Sequence, residues 1–404
     1  MKYVILLGDG MADDSLAALG DKTPLEYART PHMDRMAAEG TLGLIDTIAP
    51  DLPPGSDVAN LAVLGYDPRT CYSGRGPLEA ASMGVTLEPD DLAFRCNLVT
   101  LSEDEDPIME DFTAGHISST EAKQVIDDLG KGIGSETFIF YPGVGYRHLL
   151  VWKGGKDEIK ATPPHDIIGK AISTFLPQGR NAEPILRLMQ GSRELLADYP
   201  LNHDRYARGL KPATSIWLWG QGRAPQIQKI TERFHLRGGM ISAVDLLNGI
   251  AIYAGLEILQ VLGATGYTDT NYIGKAEKAL TALRELDLVF IHVEAPDEMG
   301  HEGNLEGKIK AIEDFDEKVV GTILNGIHRF GDFRVAVMSD HPTPVLLRTH
   351  TGDPSPIAVL SSRSDENQAR GIPFGEGGAR RSGNLIYPGY GFMEKFLGSW
   401  RPLS

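Results

Sequence analysis

Three short apolar runs in this chain each stop at an acidic residue. YVILLGDG ends at Asp9, LVFIHVEAPDEMGH at Asp297 and His301, and RVAVMSDHPTPV at Asp340 and His341, with His350 following in RTHTGDPSP. Apolar runs bounded by turn residues have the pattern of strands buried on both faces of a parallel sheet. In open α/β sheets the loops at the carboxyl ends of the strands share one edge, where ligands bind. The pattern therefore predicts three carboxylates and three imidazoles converging on that edge. Such a mixed oxygen and nitrogen set suits Mn²⁺ or Zn²⁺, and can hold two ions. Each piece alone has a plainer reading. An Asp after a strand often caps a helix or makes a turn, and Asp297 and His301 are spaced as neighbours on a helix face. Recurrence at the same loop position favours the metal reading.

A nucleophile accompanies these groups. In DLPPGSDVANLAVLGYD, Pro53, Pro54 and Gly55 enforce a tight turn before an apolar helical stretch. Ser56 then falls at or near a helix N-terminus, where amide groups and the helix dipole favour a phosphate. A metal beside its hydroxyl would activate it for attack. The plainer role is helix capping by Ser56, with Asp57 as a first-turn acid and Asn60 as a surface polar residue.

MKYVILLGDGMAD, PGSDVANLAVLGYDP, HVEAPDEMGHEG, SDHPTPV and RTHTGDPSP, in that order, resemble the archaeal-type, cofactor-independent phosphoglycerate mutases of the alkaline phosphatase superfamily. The resemblance extends to the closing YGFMEKF. It implies an α/β fold: an alkaline-phosphatase-like core with a mainly parallel sheet flanked by helices, plus a smaller inserted α+β cap that closes over substrate. It also implies two divalent ions, Mn²⁺ first and Zn²⁺, Co²⁺ or Mg²⁺ as substitutes, with no 2,3-bisphosphoglycerate. Asp9, Ser56, Asp340 and His341 resemble the ligands of one ion, and Asp297, His301 and His350 those of the other. Ser56 would take the phosphoryl group of 3-phosphoglycerate and return it to give 2-phosphoglycerate, while the closed cap keeps water from the phosphoserine.

The apolar runs weaken near residue 86. DLAFRCNLVTL reads as a strand, the acidic SEDEDPIMED as a hairpin or loop, and STEAKQVIDDLG as a helix capped by Ser119 and stopped by Gly130. TFIFYPGV and RHLLVWKG read as two strands, and Thr162-Pro163-Pro164 as a hinge. From SIWLWG the strand–helix rhythm resumes. This divides the chain into a metal-binding core, 1–85 with 181–404, and a substrate-binding cap, 86–180. Within the cap, Arg147 is the first candidate for gripping a phosphate or carboxylate, with His116 and Arg95 behind it. Each has a plainer reading: a strand-edge charge, a loop residue and a salt-bridge partner. His165 would order the hinge.

Composition narrows the partners. The net charge of −16 argues against nucleic acid and anionic membranes. It also requires local cations for a small phosphorylated substrate. Cys71 and Cys96 offer no disulfide framework or zinc-thiolate spacing. No apolar run reaches membrane-span length, and GDG interrupts the first too early for a signal peptide, so the expected compartment is the cytoplasm. Two rival readings exist. One is a homoserine-kinase-like phosphotransferase, since SIWLWGQGRAP departs from the arginine-containing segment expected in the archaeal mutases; LGDKTP, however, is no Walker A motif. The other is a non-catalytic metal-binding relative, which the presence of Ser56 beside all six other candidate ligands disfavours.

Overall fold

The computed structural model describes residues 1–400. The chain forms two compact units, one of residues 1–72 and 226–404, the other of residues 73–225.

The larger unit is built on an eight-stranded sheet. In chain order its strands are β1 (Lys2–Gly8), β2 (Thr41–Ile45), β8 (Gly238–Ile241), β9 (Glu257–Ile258), β10 (Leu288–Val293), β11 (Phe333–Met338), β12 (Ser355–Ser361) and β13 (Leu385–Ile386); the missing numbers belong to the smaller unit. Across the sheet they run β13-β2-β12-β11-β1-β10-β8-β9. β11, β1, β10, β8 and β9 are mutually parallel, whereas β12 is antiparallel to both β11 and β2. The apolar runs are continuous because β10, β11 and β12 are buried along their whole length. One face packs Val4, Leu6, Val289, Ile291, Val335 and Val337 against helical residues such as Met33, Met36, Ala276, Ala279 and Phe315. Thr30-Pro31 does begin a helix, Pro31–Glu39. Among the described residues, no helix is long and apolar enough to cross a membrane.

The smaller unit is α+β. Its strands are β3 (Leu92–Leu101), β4 (Met109–Asp111), β5 (Phe138–Val144), β6 (Arg147–Trp152) and β7 (Ser215–Gly222). β3 is central, pairing antiparallel with β4, β6 and β7. Helices Ser119–Gly132 and Glu183–Leu196 share a core with Phe94, Cys96 and Leu98, residues of one β3 face. Ala93, on the opposite face, packs with Ala80 of helix Arg75–Ser82. Boundaries placed at 86 and 180 therefore cut through this unit. SIWLWG does not resume the core rhythm: it is β7, hydrogen-bonded along β3. Two helix-end expectations also shift. Ser118, not Ser119, is the N-cap, because its side chain accepts from the Glu121 N–H in a capping box, and the helix runs past Gly130 to Gly132.

A buried polar network joins the loop after β1 to the loop after β11. Lys308 Nζ donates to Asp13 Oδ2 (2.7 Å), to the Ala12 carbonyl (3.1 Å) and to the Thr343 carbonyl (2.8 Å). Glu376 accepts from the Asp13 N–H (3.1 Å) and from the Thr23 hydroxyl (2.7 Å). Burial pushes the Glu376 carboxyl up from 4.5 to about 7. The folded state thus holds a proton that the unfolded chain releases. The stability this confers is complete below pH 4.5 and is lost as pH rises through about 7. Denaturant titrations across that window should show a shallower fall in stability for Glu376→Gln than for the unmutated protein; parallel curves would remove Glu376 from the pH dependence.

Candidate active site

Parallel register brings the strand-end residues together. β1 pairs with β10 and β11, so the chain leaves all three strands at the same edge. Asp9 follows β1 directly, and its N–H donates to the Val293 carbonyl at the end of β10 (2.9 Å). Beyond β10, helix Ala295–Glu302 carries Asp297 and His301 on one face, four residues apart. Because β12 runs back antiparallel to β11, the β11–β12 connection begins and ends at this edge. It carries both His341 and His350.

Ser56 is the first residue of helix Ser56–Val63. It does not cap that helix: Gly55 is the N-cap, with no side-chain cap bond. Instead Ser56 Oγ lies 3.3 Å from Asp9 Oδ1 and 3.2 Å from His341 Nε2. His341 Nε2 is in turn 3.3 Å from Asp9 Oδ1 and 3.6 Å from Asp340 Oδ2. Asn60 is no surface residue. It is fully buried and donates to Asp340 Oδ2 (3.0 Å) and to the Ser56 carbonyl (2.9 Å), coupling the serine turn to the carboxylate. The Gly10 N–H donates to Asp340 Oδ1 (3.1 Å). Asp57 is also buried and accepts from the Tyr72 hydroxyl.

The second group is Asp297, His301 and His350. His301 Nε2 is 3.2 Å from Asp297 Oδ2, His350 Nε2 is 3.5 Å from Asp297 Oδ1, and the two Nε2 atoms are 2.9 Å apart. His301 Nδ1 meets the Arg348 carbonyl (3.1 Å) and His350 Nδ1 the Pro54 carbonyl (3.3 Å). Carbonyls only accept, so both Nδ1 atoms carry hydrogens. In neutral rings the Nε2 lone pairs then face each other and a carboxylate, an arrangement that fits a cation between them. His341 follows the same logic. The Thr343 hydroxyl donates to Asp297 and accepts from His341 Nδ1 (3.3 Å), which aims the His341 Nε2 lone pair at Asp9. The His341 and His350 rings, 4.4 Å apart, bring the two groups together.

The charges are strained. Burial first, and then Asp340, push the Asp9 carboxyl well above the usual range. Burial works against the Asp297 anion too, but His301 and His350 hold it well below. The hydrogen bond to Asp297 raises His301 to about 9, while burial lowers His341. Asp297, His301 and His350, and separately Asp9, Asp340 and His341, each offer ligand atoms within 4.8 Å of one another. Either set could hold a divalent ion.

The three cap candidates lie in the smaller unit. Arg95 is buried; its Nε is 2.9 Å from Glu79 Oε1 and its guanidinium lies 4.3 Å above the Trp219 ring. Burial pushes its pKa down, with Glu79 opposing and Arg75 and Arg147 adding to the effect. Arg147 is exposed, its guanidinium 5.5 Å from the Tyr146 ring centroid. It pairs with Asn97 in register, two residues from Arg95 on the same β3 face. His116 is exposed at a positive φ of 50°. Arg75, in YSGRGPLEA, escaped the sequence reading; only the pairing of its helix with β3 reveals it as part of an arginine cluster. His165 stacks edge-on against Phe112 and Trp219.

A family model described as 2,3-bisphosphoglycerate-independent phosphoglycerate mutase matches residues 37–202. A probable 2,3-bisphosphoglycerate-independent phosphoglycerate mutase from Geobacter sulfurreducens is 52% identical over 98% of this chain and 100% of its own. The chain belongs to this mutase family. The mutase of Methanosarcina mazei is 51% identical over 91% of this chain and 92% of its own. Among solved structures, the PH0037 protein from Pyrococcus horikoshii aligns with a TM-score of 0.81 at 30% identity, covering 98% of this chain and 97% of that one. The cofactor-independent mutase of Thermoplasma acidophilum gives 0.66 at 26% identity, covering 98% and 99%.

Removing one imidazole of the second group should lower metal content and turnover together. Elemental analysis of His301→Ala should show less bound Mn²⁺ than the unmutated protein; full occupancy with normal turnover would exclude His301 as a ligand.

Proposed function

We propose that this enzyme interconverts 3-phosphoglycerate and 2-phosphoglycerate through a phosphoserine on Ser56, in the cytoplasm and without 2,3-bisphosphoglycerate. The observation that carries this reading is the place of Ser56 Oγ, between Asp9 Oδ1 and His341 Nε2 at the first turn of a helix. Asp9, Ser56, Asp340 and His341 would hold one divalent ion, and Asp297, His301 and His350 a second, Mn²⁺ suiting both donor sets. When bound, such ions supply Lewis-acid charge that lowers the pKa of a nearby hydroxyl and neutralises phosphoryl oxygens.

Ser56 Oγ attacks the substrate phosphorus in line as the bond to the C3 oxygen breaks, leaving glycerate and phosphoserine. Amide groups of the first helical turn favour the transferred phosphoryl group. Asn60 holds the serine turn against Asp340 through both steps. The C2 hydroxyl of the reoriented glycerate then attacks phosphorus, and the bond to Oγ breaks. The proton that Ser56 gave up in the first step returns in the second, so the enzyme ends unchanged.

A protein of net charge −16 repels an anionic substrate, so local guanidinium groups have to offset that field. Arg147, exposed and of known neighbours only on its own strand pair, is our first choice for gripping substrate, with His116 as a proton donor. Arg95, already paired with Glu79, is better placed to orient its neighbours. The relatives are named as mutases at about half identity over nearly the whole chain, which favours isomerisation over a kinase reaction.

Ser56→Ala should fold normally, since the hydroxyl caps nothing, and should lose phosphoryl transfer. Intact-mass spectra of the unmutated enzyme with phosphoglycerate should contain a phosphorylated fraction that the variant lacks; mutase turnover by the variant would defeat the phosphoserine route. Arg147→Ala should weaken substrate binding by about 1.5–3 kcal/mol, the range for a charge-assisted contact. It should also raise phosphate release relative to 2-phosphoglycerate formed, with metal content unchanged. An unaltered ratio and affinity would mark Arg147 as a surface charge.

A further inference from the structure

The two oxygens of Asp9 face different surroundings. Oδ1 looks toward Ser56 and His341. Oδ2 looks away, 2.7 Å from His292 Nε2. The parallel register explains the pairing: Gly8 lies beside Val293, so Asp9 falls beside Glu294. His292 and Glu294, two residues apart, point to the same side at the end of β10. Glu294 Oε2 is 3.4 Å from His292 Nε2, and it is a buried oxygen that accepts no hydrogen bond. One ligand atom each from Asp9, His292 and Glu294 lies within 4.8 Å of the others.

Two carboxylates packed this way need positive charge between them. His292 does not supply it: burial drives its pKa well down, so the ring is neutral. Lys275 is near, but its ammonium donates to the His292 carbonyl (2.8 Å). Burial also pushes the Asp9 and Glu294 carboxyls well up, the behaviour of a pair that lacks a counter-charge. Ser242 Oγ lies 3.3 Å from His292 Nδ1. It can accept the Nδ1 hydrogen, which leaves the Nε2 lone pair directed at Asp9 and Glu294.

We propose that Asp9 Oδ2, Glu294 Oε2 and His292 Nε2 form a third divalent-cation site, in which Asp9 bridges to the ion held beside Ser56. Two carboxylate oxygens and one imidazole nitrogen suit Mn²⁺ or Zn²⁺ better than Ca²⁺. A cation there fixes the Asp9 carboxylate in its ionised form and sets the direction of its other oxygen toward Ser56. The proposal rests on the reading of Asp9 as a ligand of the Ser56-side ion. The competing occupant is a proton shared between Asp9 and Glu294.

The test is a count of bound ions. Full-length protein is stripped with chelator, reloaded with Mn²⁺, freed of excess ion and analysed for manganese per chain. The expected result is a third equivalent in the unmutated protein that is lost in Glu294→Gln, with the other two retained. Glu294→Lys, which places an ammonium where the cation would sit, should lose the same single equivalent. Saturation of the unmutated protein at two equivalents overturns the third site, whatever the variants do, and is the result expected of a shared proton. Three equivalents that survive both substitutions also overturn it. Saturation below two would instead count against the two-ion reading on which it rests.

Discussion

Buried negative charge is the constraint on which the larger unit depends. Asp9, Asp297 and Asp340 are all buried at one sheet edge, within reach of imidazoles whose other nitrogens are committed elsewhere. Like charges packed in this way are unfavourable unless something positive lies among them. The surrounding bonds keep the groups from relaxing apart. Asn60 and the Gly10 N–H hold Asp340, Thr343 holds Asp297, and Lys308 joins the two loops that carry them. The edge is thus prepared for divalent cations, and through them for a phosphoryl group.

The same arrangement explains why a serine is the nucleophile. Ser56 enters from a turn that Pro53, Pro54 and Gly55 make rigid, and it starts a helix whose remaining residues are all buried. Its hydroxyl therefore has a fixed position against Asp9 and His341. Proximity of this kind removes much of the entropic barrier to transfer. A freely rotating surface serine would lack that advantage.

The site was largely legible in the sequence because its ligands follow simple local rules. Asp9, Asp340 and His341 sit just past apolar strands, and Asp297 and His301 have helical spacing. Contacts between distant segments were not legible. Nothing in FIHVEAP announces that the His292 ring reaches Asp9, since that depends on strand register. Asn60 read as a surface residue because its partner, Asp340, is far away in sequence. Thr343 and Lys308 were missed for the same reason. For the fold, SIWLWG is as good a strand for either sheet, and only its pairing with β3 decides. The early boundary failed because helix Arg75–Ser82 resembles a continuation of the preceding helices, whereas its apolar side packs on β3.

The stereochemical course at phosphorus tests the central claim most directly. Two in-line displacements, onto Ser56 and off it again, each invert the phosphorus centre. Conversion of 3-phosphoglycerate carrying a phosphoryl group made chiral with three oxygen isotopes should therefore give 2-phosphoglycerate with overall retention of configuration. Inversion would mean a single direct transfer between the two hydroxyls and would contradict a phosphoserine intermediate.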